Sequence, residues 1–149
     1  MLNLDNMLNV QNIIPALQSN QKEQVIRELL KCLTETGQID NEQQAFQDVL
    51  AREGYLSTGM ENGLAIPHAK SDAVNNLIVA FGIHQAGINF ESLDGQPAHF
   101  VFLVLSPLDT SGPHIQALAQ ISRVMKKENI REQLISAKNS QTIKDILLK

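Results

Sequence analysis

Three side chains in this sequence could handle protons or phosphate: His68 in "ENGLAIPHAKSD", His114 in "SGPHIQALAQ" and Arg52 in "LAREG". A histidine side chain titrates at about 6.5, so at neutral pH one ring nitrogen keeps a free lone pair for attack or proton transfer. A guanidinium is a permanent planar cation whose fork of donors matches phosphate oxygens. Just upstream of His68, Ser57, Thr58 and Gly59 offer two hydroxyls and backbone N–H groups, the ingredients of an anion site. Each also has an ordinary explanation. His68 reads equally as a loop histidine stiffened by Pro67, His114 as a polar residue in the first turn of a helix, and Arg52 as a cation at a helix C-terminus. No nucleophile–base–orienter set is visible in one dimension, so both readings stay open at this point.

The elements around these residues follow from local pattern. Pro67 fixes its own φ and pushes Ile66 into an extended conformation, so "LAIPH" is a rigid lead-in to His68. Gly59 and Gly63 allow tight turns and close approach of the backbone to a ligand. Asn20 with Glu23 predicts a capped helix over roughly 21–36, carrying Val25, Ile26, Leu29, Leu30 and Leu33 at helical spacing. Asp40 with Gln43 predicts a second start, and Ala45, Phe46, Val49 and Leu50 form a stripe that stops before Gly54, which makes Arg52 a last-turn residue.

"LIVAFGI" (77–83) and "HFVFLVL" (99–105) are nearly continuous in apolar character and suit strands covered on both faces. Between them Asp94-Gly95 signals a turn. A third helix follows "DTSGP", with Ile115, Leu118, Ala119, Ser122 and Met125 as its expected buried face. After a break near Asn139, Ser140 is the expected cap of a final helix bearing Ile143, Ile146 and Leu147. His84 and His99 fall at the edges of the strand runs and read as structural, partly exposed residues. The expected class is α/β: a single domain over 1–149, with a central mixed β-sheet flanked by helices on both faces.

Bulk properties narrow the function. A formal charge of −4 argues against nonspecific nucleic-acid binding, which needs a basic footprint. "FVFLVL" is too short to span a bilayer, and "MLNLDNMLNV" lacks the basic start and apolar stretch of a signal peptide. The single cysteine, Cys32, permits no internal disulfide. With no helical His-x-x-x-His pair and no cysteine cluster, a metal site at His68 and His114 ranks low. A cytoplasmic protein without metal or membrane insertion is expected.

The combined motif resembles a family. "LAREGYLSTGMENGLAIPHAK" is similar to the active-site segment of the fructose/mannitol-type EIIA domains of the bacterial sugar phosphotransferase system. "DGQPAHFVFLVLSP" resembles their central strand and "PHIQALAQISRVM" their second-histidine helix, so the likeness covers nearly the whole chain. The resemblance implies a phosphotransferase whose His68 accepts a phosphoryl group from phosphorylated HPr and passes it to a cysteine of an EIIB domain. It makes Arg52 and His114 supporting catalytic residues and Ser57 and Thr58 phosphate-binding ones, with no cofactor. A stand-alone domain with no EIIB or EIIC attached is expected, and the alternative is a regulatory, nitrogen-type EIIA. In one respect the chain departs from the pattern: Met60-Glu61 stands where the family usually has isoleucine and glycine, which puts the turn geometry in question.

Overall fold

The computed structural model describes residues 4–149; the first three residues of the "MLNLDNMLNV" segment lie outside them. The order is α1 (Leu4–Met7), a 3-10 turn (Val10–Asn12), β1 (Ile13–Ile14), α2 (Lys22–Glu35), α3 (Glu42–Glu53), β2 (Leu64–Ala65), β3 (His68–Lys70), β4 (Ile78–Ile88), β5 (Ala98–Ser106), α4 (Ser111–Met125), α5 (Glu128–Ser136) and α6 (Ser140–Leu147). The central strands β4 and β5 pair antiparallel, while β1 joins β4 and both β2 and β3 join β5 in parallel. The expected mixed sheet is therefore present.

Side-chain alternation along β4 and β5 explains their unbroken apolar runs. Ala80, Val101, Leu103 and Leu105 pack into a core shared with α2 and α3. Their neighbours Val79, Phe81, Ile83, Phe100, Phe102 and Val104 pack into a second core with α1, α4, α5 and α6. Phe81 and Phe102, partners across the strands, stack with centroids 4.1 Å apart. Helices on both faces cover the central strands except near Gln85 and Ala86 at the far end of β4.

Several local expectations need correction. The N-cap of α2 is Gln21, and no side chain caps it. Asn20 lies one residue too early to reach the helix amides, so its capping box does not form. The Glu28 carboxylate instead accepts from the N–H groups of Gln18 and Ser19. α3 is capped by Asn41, whose side chain accepts from the Gln44 N–H. α6 is capped by Asn139 rather than Ser140, because the Ser140 hydroxyl donates to the Ile13 carbonyl instead. The stretch after α4 contains an unforeseen helix, α5, set off by a turn without glycine or proline; Arg131 closes α4 by donating to the Met125 carbonyl.

His84 is buried within β4 rather than half-exposed at its end, since the strand continues to Ile88. One ring nitrogen, Nε2, meets the Ser19 carbonyl, and Nδ1 accepts the Gly87 N–H. His99 is half-buried, with Nδ1 against the His84 carbonyl. His84 thus ties β4 to the segment before α2 and His99 ties β5 to β4, in keeping with the structural role expected of them.

The largest difference is the rotation of α4. Its buried residues are His114, Ala117, Ile121 and Met125, whereas Ile115 is 65% exposed. Of the expected face only Met125 is in the core. The stripe of Ile115, Leu118 and Ala119 lines an open groove instead.

Candidate functional site

The approach to His68 is built from two tight pieces of backbone. Asn62 and Gly63 have φ of 62° and 76°, and the Leu64 N–H donates to the Glu61 carbonyl at 3.2 Å. Two consecutive left-handed residues make a type I′ turn, for which Asn-Gly is the preferred pair. The turn therefore needs no glycine at position 61. Glu61 lines a neighbouring cavity beside Lys126, and is not among the residues that line the two clefts at His68. Ladder bonds from Met60 N–H to Leu64 and from Ile66 N–H to Thr58 join the Ser57–Met60 segment to β2.

Ser57, Thr58 and Gly59 are fastened in place. The Ser57 hydroxyl donates to the Phe90 carbonyl at 2.5 Å. Thr58 gives both its N–H and its hydroxyl to the carboxylate of Glu53, at 2.7 to 3.0 Å. Glu53 is itself buried and pairs with Lys22 at 3.2 Å. A β-carbon on Gly59 would lie 2.6 Å from Ser92 Oγ and 2.8 Å from the Phe90 carbonyl, so glycine serves close packing there rather than approach to a ligand. Both hydroxyl protons are thus spent inside the protein. Ser57 and Thr58 line the groove next to His68, but their donors point to structural partners.

Pro67 interrupts the edge of the sheet, and β3 resumes pairing with His68 opposite Val104. His68 Nδ1 lies 2.7 Å from the Ile66 carbonyl. A carbonyl only accepts, so Nδ1 carries the proton and Nε2 holds the lone pair. Burial lowers the His68 pKa, and Arg52 adds to this; the Ile66 bond and Glu53 work the other way. The ring is neutral at pH 7.

His114 faces His68 with ring centroids 5.4 Å apart. It is 6% exposed, and its Nδ1 lies 2.6 Å from the Ser106 hydroxyl. Ser106 is fully buried, and His114 is the partner of its hydroxyl among the described residues. If Ser106 accepted here, its own O–H would be buried without a partner, so the hydroxyl donates and His114 Nε2 carries the hydrogen. Burial, then the charges of His68 and Lys70, push the His114 pKa down to about 4. His114 is therefore a neutral N–H donor at pH 7, not a standing cation.

Arg52, the penultimate residue of α3, donates from Nη1 to the Leu56 carbonyl at 3.0 Å and so also shapes the loop after its helix. Arg52, His68 and His114 meet in one small polar cleft of about 310 Å³, where Lys70 and Asp48 complete the wall. On its other side His68 borders an apolar groove of about 450 Å³ lined by Leu56, Leu93, Ile115 and Leu118. The structure thus joins the three residues that sequence spacing left sixteen and forty-six positions apart.

Sequence reasoning passed over Ser106, Glu53 and Lys70. Ser106 ended a strand and gave no signal. Glu53 was visible only as the neighbour of Arg52. Lys70 had a readable cue, being two residues beyond His68 in extended chain and so on the same face. Among the described residues, no cluster of three or more His, Cys, Asp or Glu side chains could hold a metal ion, and no helix is long and apolar enough to cross a membrane.

Comparison with known proteins identifies the family and the fold. The profile of the family described as "Phosphoenolpyruvate-dependent sugar phosphotransferase system, EIIA 2" matches residues 6–149. A fructose-specific EIIABC component of Bacillus subtilis is 40% identical over 88% of the chain, which spans 21% of that longer protein. A nitrogen regulatory protein of Bradyrhizobium diazoefficiens is 38% identical over 91% of the chain and 88% of its own length. The crystal structure of the nitrogen regulatory protein IIA-Ntr from Neisseria meningitidis superposes with a TM-score of 0.89 at 26% identity, covering 97% of this chain and 98% of that one. With the match spanning nearly every residue and the fold in agreement, the chain belongs to the EIIA 2 family of the phosphoenolpyruvate-dependent sugar phosphotransferase system.

Proposed function

We propose that this protein is a cytoplasmic phosphoryl carrier whose acceptor atom is Nε2 of His68, loaded by phosphorylated HPr and unloaded onto a cysteine of an EIIB domain during sugar uptake. The observation that carries this reading is the 2.7 Å contact from His68 Nδ1 to the Ile66 carbonyl, which holds the tautomer with its lone pair on Nε2. In the first step that lone pair forms the new N–P bond. The donor's N–P bond breaks, and its electron pair returns to the donor imidazole. In the second step a thiolate forms an S–P bond and the His68 N–P electrons return to Nε2. The proton stays on Nδ1, donated to the Ile66 carbonyl, throughout.

Such transfer relies on positioning and on stabilising charge spread over the phosphoryl oxygens. Arg52 supplies a cation, and His114 supplies a neutral N–H donor oriented by Ser106. Ser57 and Thr58 act in this scheme by holding the turn, since their hydroxyls are already engaged. The apolar groove along Leu56, Ile115 and Leu118 offers the partner surface.

A regulatory role, in which the phosphorylation state of the same histidine governs partner binding, is favoured by the likeness to the Bradyrhizobium and Neisseria nitrogen regulatory proteins. One experiment addresses both. The protein is incubated with labelled phosphoenolpyruvate, enzyme I and HPr, and then offered to candidate EIIB domains. Label on wild type but not on His68→Ala supports the acceptor assignment, and label surviving in His68→Ala sinks it. Onward transfer to an EIIB domain supports transport; loading without transfer to any of them supports regulation.

A further inference from the structure

The polar cleft contains one cation that this scheme does not use. Lys70 lies two residues beyond His68 in β3, and strand alternation puts both side chains on the same side of the sheet, opposite the buried Ala69. Two residues of strand span about 7 Å, within reach of a flexible lysine stem directed back towards His68. Its ammonium donates to the hydroxyl of Ser111, at the start of α4, and forms no ion pair among the described residues.

The nearby carboxylates are occupied elsewhere. Asp48 accepts from the hydroxyl of Ser71 and the amide of Gln44, and Glu53 accepts from Thr58 and pairs with Lys22. The cleft therefore sets two cations, Arg52 and Lys70, and one carboxylate, Asp48, beside two neutral imidazoles. The excess of positive charge favours an arriving anion. A phosphoryl group carries a charge near −2 above a second pKa of about 6, and two cations balance it where one does not.

Building on the assignment of His68 as acceptor, we propose that Lys70 is a further phosphoryl-binding residue of this site. It rests on Ser111 while His68 is bare and turns to the phosphoryl oxygens once His68 carries them. Ser111 is a neutral partner, so leaving it breaks no ion pair. Because Ser111 opens the helix that carries Ile115 and Leu118, the departure of the lysine also releases a tie to the element lining the apolar groove.

The test removes docking from the measurement by using phosphoramidate, a small donor whose P–N bond breaks as the His68 N–P bond forms, with release of ammonia. Wild type, Lys70→Gln, Lys70→Arg, Ser111→Ala and His68→Ala are compared by loading rate and by ³¹P NMR titration of the bound phosphoryl group. Lys70→Gln is expected to load about tenfold more slowly and to raise the second phosphoryl pKa by about one unit, while Lys70→Arg stays near wild type. Ser111→Ala keeps the ammonium and is expected to load at least as fast as wild type; slower loading would overturn the resting position. A Lys70→Gln protein with wild-type rate and titration overturns the role of Lys70, with the acceptor assignment intact if His68→Ala stays unlabelled. Equal labelling of His68→Ala overturns both. The titration is a readout that a purely structural lysine would leave unmoved.

Discussion

His68 and His114 face each other across 5.4 Å with both Nδ1 atoms engaged, one by the Ile66 carbonyl and the other by the Ser106 hydroxyl. The two rings thereby take opposite states at Nε2: a lone pair on His68 and a hydrogen on His114. In the proposed transfer, this sets the attacking nitrogen opposite a donor for the oxygens it would carry. Ser106→Ala should disturb only the second half of this arrangement. Loading of His68 is expected to persist, with transfer slowed about tenfold as the His114 tautomer is freed, and ¹⁵N spectra of the ring should show the change directly. An unaltered His114 tautomer in that variant would refute the assignment.

The lowered pKa of His114 has a thermodynamic consequence. In the unfolded chain the ring titrates at about 6.5, and in the fold at about 4. Between those values the unfolded state holds more protons, so stability rises with pH across the window and is lost as the solution is acidified through it. The loss should reach at most about 3 kcal/mol on going from pH 7 to pH 4. His68, also lowered, contributes with the same sign. Urea unfolding at pH 7 and pH 5 measures this, and His114→Gln should flatten the dependence.

Arg52 should matter to rate in a way that its helix position does not explain. Arg52→Ala removes both the cation and the bond to the Leu56 carbonyl, whereas Arg52→Lys keeps a charge without the planar fork. Phosphoryl transfer is expected to fall about a hundredfold in the first variant and by less in the second. Rapid-quench labelling distinguishes them, and normal kinetics in Arg52→Ala would leave the residue only its loop contact.

Glu53 ties α3, the Ser57–Met60 segment and Lys22 together from a buried position. Glu53→Gln keeps the shape but leaves Lys22 without that partner and the Thr58 donors with a weaker acceptor. A stability loss of about 2–3 kcal/mol is expected in denaturant titrations. The same variant should slow loading, because the wall of the cleft loosens with the turn.

Gly59→Ala tests the packing of the turn against residues 90–92. The added carbon meets a backbone carbonyl at 2.8 Å as well as Ser92 Oγ, so combining it with Ser92→Ala should recover little. A loss of about 1–3 kcal/mol is expected. Wild-type stability in Gly59→Ala would mean that residues 90–92 can move away.

Much of this arrangement was legible in the chain. Apolar spacing located α2, α3 and the central strands, because those elements bury the faces that the pattern marks. Arg52, Pro67-His68 and His114 were joined in the sequence only through their resemblance to a family motif, and the fold brings all three to one cleft. The face of α4 was misread for a physical reason: Ile115, Leu118 and Ala119 are apolar like a core stripe, yet they line a groove. Periodicity records which side of a helix avoids water and cannot say whether protein or partner covers it. Ser106 and Glu53 were illegible since their roles depend on contacts across the fold, and the Met60-Glu61 departure ceased to be a difficulty once Asn62 and Gly63 supplied the left-handed turn.

The placement of His68 on an outer strand also bears on pairing between copies of this chain. Sheet margins invite a second chain to pair with them, the first step towards aggregation. Here the margin next to β5 is cut into strands of two and three residues by Pro67, which has no N–H to offer. β2 is already bonded on its outer side by Thr58 and Met60, and β3 ends in the charged Lys70. The same proline that stiffens the approach to His68 thus leaves the half-buried imidazole on a rim that is poorly suited to templating its neighbours.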